Sequence, residues 1–131
     1  MRRRPALPVL PLTLACLLTP LAAPAGRAAD EGDYMLATAA DLAALCAAPQ
    51  DASAIHMCEG FLVAVDQMHM QLASAMDRPI YCLPTDGSVT RDGAAAAFAA
   101  WMAGRPANAT LSPIDGLMSW ARDAYPCPAG Q

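Results

Sequence analysis

The hydrophobic pattern of the chain changes character once. Residues 6–23 form an apolar stretch without a charge, whereas beyond residue 30 the hydrophobic positions become intermittent and recur every three or four residues. That second spacing is the period of helices with one buried face. A first helix is predicted over Met35–Ala48, with Thr38 able to cap it, Asp41 in its first turn, Leu42, Leu45 and Cys46 on one stripe, and Pro49 ending it. Ser53 is the cap predicted for the longest helix, Ala54 to about Met76, which holds no proline and closes at Arg78-Pro79. Its burying stripe is Cys58, Phe61, Leu62, Val65, His69, Leu72 and Met76.

The extended segment Ile80–Pro84 and the turn residues Asp86-Gly87-Ser88 follow, too short for a sheet. A third helix is predicted from about Thr90 to Ala103, with Phe98, Trp101 and Met102 as its bulky contacts and Gly104 and Pro106 as terminators. The fourth has Ser112 as cap, Pro113 at its first position, Asp115 in its first turn and Arg122 in its last, and stops at Tyr125-Pro126-Cys127-Pro128. The expected fold is all-α, a compact four-helix domain.

The first apolar stretch reads as a leader. Arg2, Arg3 and Arg4 precede it, and small residues follow, with cleavage sites after Ala25 or, preferably, after Ala28 or Ala29. Pro8, Pro11, Pro20 and Pro24 interrupt it, against the roughly 20 continuous apolar residues of a membrane anchor. Lipidation at Cys16 fits poorly, since the run continues through Leu17, Leu18 and Leu21. The expected organisation is therefore a signal peptide over residues 1–29 and a single helical domain over 30–131, exported to the periplasm because the leader looks bacterial.

Export changes the charge balance. Of eight basic residues, all arginine, four lie in the leader, so the remainder sets four arginines against twelve carboxylates, a balance of −8. Such a surface disfavours nucleic acid and anionic membranes and favours a basic protein partner. No stable membrane insertion is expected.

Cys46, Cys58, Cys82 and Cys127 remain beyond the leader and allow three pairings. A continuous second helix places Cys58 and Cys82 roughly 30 Å apart at about 1.5 Å per residue, whereas a disulfide needs Cα atoms within about 7 Å. In a helical hairpin Cys46, in the last turn of the first helix, meets Cys58 near the start of the second. The predicted bridges are Cys46–Cys58 and Cys82–Cys127. A zinc site is disfavoured, because no Cys-x-x-Cys occurs and an exported chain meets an oxidising compartment.

Catalytic chemistry finds little to work with. His56 and His69 lie on one helix but point about 140° apart at about 100° per residue, and His69 falls on the burying stripe, as a hydrogen-bonded histidine at the core edge would. There is no nucleophile triad, His-Glu-x-x-His or glycine-rich phosphate loop. The expectation is a protein that is not an enzyme and needs no cofactor. Met57, Met68, His69 and Met70 are of the ligand types that suit copper, although methionines at helical spacing more often fill a core. Asn108-Ala109-Thr110 matches a glycosylation acceptor, read as a chance match because the leader looks bacterial.

A second stripe stands apart: His56, Val63 and Met70 repeat every seven residues, roughly opposite Cys58, flanked by Glu59, Asp66 and Gln67. Apolar residues among polar ones suggest a contact surface for a partner or a second copy. His56, Glu59, Val63, Asp66 and Met70 are the candidate partner-binding residues.

Two motifs carry a family resemblance. Cys58-Glu59-Gly60-Phe61-Leu62 leads to Val65-Asp66, and Tyr81-Cys82-Leu83-Pro84 is followed by Trp101, Pro106 and Tyr125-Pro126-Cys127. In this order and spacing they resemble the Rap/Tai family of periplasmic immunity proteins, over about Met35 to Cys127. The resemblance implies a disulfide-bonded helical domain, often a homodimer, that inhibits a peptidoglycan amidase effector of type VI secretion by occluding its groove. A periplasmic acid-stress chaperone or general interaction module, and less so a Met/His copper protein, are the alternatives.

Overall fold

Each helix begins where a side chain can accept the first free backbone N–H groups. The computed structural model describes residues 28–129; the predicted leader, apart from Ala28 and Ala29, lies outside them. In helix α1 (Ala39–Cys46), Thr38 Oγ1 accepts from Asp41 N at 3.3 Å while the Asp41 carboxylate accepts from Thr38 N at 2.9 Å. This reciprocal box fixes the start. The predicted extension back to Met35 is absent: Asp33–Met35 is a separate 3-10 turn, and Leu36 at φ 48° lies in the left-handed region, which a right-handed helix cannot run through.

Helix α2 (Ala52–Ala73) is capped by Asp51, whose Oδ1 accepts from Ser53 N and Ala54 N at 3.0 and 3.1 Å. Ser53, the expected cap, is instead inside the first turn. A carboxylate makes the stronger charge-assisted bond at the positive end of a helix, so Asp51 prevails. Thr90 caps α3 (Arg91–Ala103), and Ser112 with Pro113 opens α4 (Pro113–Ala124) as the sequence indicates. The turn before α3 is at Asp86-Gly87-Ser88, where Gly87 takes φ 75° and Asp86 accepts from Ser88 N at 2.9 Å. Among the described residues there is no strand.

The short α1 is central. It packs against α2, α3 and α4, and Ala39, Leu42 and Leu45 are fully buried in it. Its first amides are taken up from outside, Ala39 N by Leu111 O at 2.8 Å and Ala40 N by Ala109 O at 3.1 Å. From α3 comes fully buried Phe98, edge-on to Trp120 of α4 with ring centroids 5.8 Å apart; Trp120 meets Tyr125 at 5.6 Å. Trp101, one of the expected bulky contacts, packs half-buried against the core, its Nε1 donates to Asp123 at 3.1 Å and Arg105 lies 4.4 Å over its ring. It ties α3 to α4 at the surface.

Both predicted bridges are present. Cys46–Cys58 joins α1 to α2 with Cα atoms 5.2 Å apart, and Cys82–Cys127 joins the segment after α2 to the C-terminal tail at 4.9 Å.

Helices α1 and α4 approach closely at Gly116. A Cβ at Gly116 would sit 2.5 Å from Ala39 Cβ, closer than side-chain atoms come. Gly116→Ala is expected to cost about 1–3 kcal/mol through overpacking, despite alanine's better helix propensity. A urea titration showing stability equal to or above that of the parent would contradict this close approach.

Candidate functional site

Helices α2 and α3 pack along one flank and leave a seam between them, and the five candidate residues lie on it. They are not on the outermost face of α2, where Gly60, Ala64, Met68 and Gln71 stand exposed. At one end His56 and Glu59 of α2 face Asp92 of α3 across a depression of about 490 Å³ beside the Cys46–Cys58 bridge. Two helical turns further on, Val63, Asp66 and Met70 line a second depression of about 350 Å³. Its floor is apolar and aromatic, from Leu62, Tyr81, Leu117 and Trp120, and Leu83, Val89 and Arg91 stand around it.

The two ends differ electrically. The Asp92 carboxyl raises the pKa of Glu59 above the usual carboxylate value, chiefly by sharing a hydrogen bond with it, with desolvation and charge repulsion adding; His56 and Arg91 oppose the shift. Asp66, by contrast, has an assigned partner, since Tyr81 donates its hydroxyl to Asp66 Oδ1 at 2.9 Å. Tyr81 is buried and stacks on His69, with centroids 3.9 Å apart and planes at 16°. His69 Nε2 in turn accepts from Ile80 N at 3.1 Å.

His69 is therefore the buried, hydrogen-bonded histidine its stripe predicts, and its work is to hold segment 80–82 onto α2. Its Nε2 lone pair is already engaged, so metal binding there would release Ile80. Met68 and Met70 are 62% and 60% exposed on either side of it. Among the described residues no three His, Cys, Asp or Glu side chains are grouped to hold a metal ion. No helix among them is long and apolar enough to cross a membrane.

Sequence reasoning missed the residues that complete the seam from other elements. Asp92 and Arg91 open α3 and become relevant only once α3 packs on this flank of α2. Tyr81 carried a signal, an aromatic residue directly before a cysteine in an extended segment, but its partner Asp66 lies fifteen residues earlier.

The Tyr81 hydroxyl is held protonated. Burial raises its pKa well above the ordinary value of 10.0, and the bond to Asp66 and its negative charge add to this. A phenol raised on folding keeps its full contribution below pH 10 and loses it as pH climbs through the folded value. Tyr81→Phe is expected to cost about 1.5–3 kcal/mol at pH 7, the range for a hydrogen bond to a charged group. The deficit should shrink above pH 10 in chemical denaturation; a deficit that stays constant to high pH would show that the hydroxyl is not the cause.

Among known families, the model described as Rap1a immunity proteins matches residues 38–127. No curated protein and no solved structure matches the chain.

Proposed function

Because the chain belongs to the Rap1a immunity proteins, we propose that it acts in the periplasm as the inhibitor of a peptidoglycan amidase effector delivered by type VI secretion, binding it and occluding its active site. The observation that carries the reading is the extent of the family match. It begins at the Thr38 cap of α1 and ends at Cys127, so it takes in all four helices and both bridges. A rigid, acidic domain with a mixed polar and apolar seam suits binding to a basic protein.

The test is co-purification with a small cysteine hydrolase encoded beside this chain. The expected result is a stable complex and loss of peptidoglycan cleavage at equimolar inhibitor. Absence of a complex with every periplasmic amidase tried would end the reading. Export is tested separately, by mass spectrometry of the periplasmic protein, whose N-terminus should be residue 29 or 30.

The chaperone alternative needs apolar surface released by acid. At the seam the sign runs the other way, because a carboxyl with a raised folded pKa stabilises the fold as pH falls.

A further inference from the structure

The α2–α3 seam has two ends of different chemistry at a fixed distance. Glu59 and Asp92 line one depression, and two ionised carboxylates facing each other there repel, so a cation placed between them would relieve that repulsion. Seven residues along the same helix, about 10 Å at about 1.5 Å per residue, the second depression offers an apolar floor of Leu62, Leu117 and Trp120. Met70, at its rim, is an unbranched side chain that can reshape to an occupant. A cavity of about 350 Å³ is of the size that takes a specific ligand group.

We propose that this seam is a two-point docking groove for a segment of another protein, with an arginine or lysine seated between Glu59 and Asp92 and a bulky apolar side chain in the depression under Val63 and Met70. Charge complementarity points to a basic occupant: residues 30–131 carry four arginines against twelve carboxylates, a balance that draws a cationic segment of another protein. In an extended segment of about 3.3 Å per residue the two anchors are three residues apart. That the segment belongs to an amidase effector rests on the immunity reading; the chemistry of the groove does not.

The test is an NMR titration of the exported chain with the peptides Ac-Leu-Ala-Ala-Arg-NH2 and Ac-Arg-Ala-Ala-Leu-NH2, with Glu replacing Arg as control. Saturable shifts are expected at Glu59, Val63, Met70 and the Trp120 indole, with at least tenfold weaker binding of the Glu peptides. Val63→Trp, which fills the apolar end, and Asp92→Arg, which occupies the acidic end, should each weaken binding tenfold or more while leaving the unfolding midpoint in place. Asp92→Arg is a surface change, so it reports even if Val63→Trp perturbs folding. Equal binding of Arg and Glu peptides, shifts centred on Ala64 and Met68, or no saturation would overturn the groove. Self-association of the parent that Val63→Trp abolishes would overturn it in favour of a second copy. If the peptides dock but no amidase binds the parent, the immunity reading alone falls. If the variants lose the peptides yet keep an amidase complex, the groove stands and its assignment to the effector falls.

Discussion

Replacing Cys82 and Cys127 together by serine is expected to lower the unfolding free energy by about 4 kcal/mol. The bridge spans 45 residues, and closing a loop of that length in the unfolded chain removes about that much entropy at 25 °C. The shorter Cys46–Cys58 bridge, spanning 12 residues, is worth about 3 kcal/mol by the same relation. Total stabilities of domains are about 5–15 kcal/mol, so the loss takes a large part of what holds this one together. Without the bridge, segment 80–82 still has the Cys82 N to Tyr125 O bond at 2.9 Å and the contact between Ile80 and His69. The fold should therefore survive in the double variant as a weaker version of itself. Guanidinium titrations of parent and variant give the difference directly; a change below 1 kcal/mol would mean that the unfolded chain is already compact between those positions.

Phe98→Ala is expected to cost about 3–5 kcal/mol, the range for truncating a buried aromatic. Phe98 is among the largest side chains with no exposure, and its ring packs in a T-shaped contact with Trp120. The hole would open beside Trp120, which also lines the apolar end of the seam. The near-ultraviolet dichroism of tryptophan should weaken along with stability. The exposed Ala97, beside it in the sequence, provides the control, since Ala97→Ser should change stability by less than about 0.5 kcal/mol. A cost for Phe98→Ala below 2 kcal/mol would indicate that α3 collapses into the vacancy.

Local chemistry made most of the helices legible. Thr38 with Asp41, and Ser112 with Pro113, each mark a boundary by chemistry confined to four residues, and the structure follows them. The pairing of cysteines was legible for a different reason, because an uninterrupted α2 is a ruler that keeps Cys58 and Cys82 apart. Where two residues of similar aptitude compete within a turn, as Asp51 and Ser53 do, pattern alone does not rank them. The early end of α2, at Ala73 rather than Met76, also escapes the pattern: Ser74 closes the helix there, its hydroxyl donating to Gln71 O at 2.9 Å.

The candidate site was legible on one wall only. A single helix shows that His56, Val63 and Met70 share a flank, but whether that flank faces solvent or a neighbour depends on the angle at which α3 packs. Asp66 illustrates the consequence. From sequence it is one acidic residue among several on a partner-facing stripe; in the fold it accepts the Tyr81 hydroxyl and so shapes the depression as well as charging it.

The placement of the two bridges has a topological outcome. Residues 46–58 close one covalent ring and residues 82–127 another, so the α1–α2 connection and the α3–α4 connection each lie inside a ring. A protease that cuts either connection leaves its products linked. Of the three connections between successive α helices, only the one between α2 and α3 is partly outside a ring, so a cut over residues 74–81 parts the two bridged halves, and that stretch is fastened to α2 by Ile80 on His69 and Tyr81 on Asp66. Two side-chain contacts thus guard the one inter-helix connection at which cleavage severs the domain.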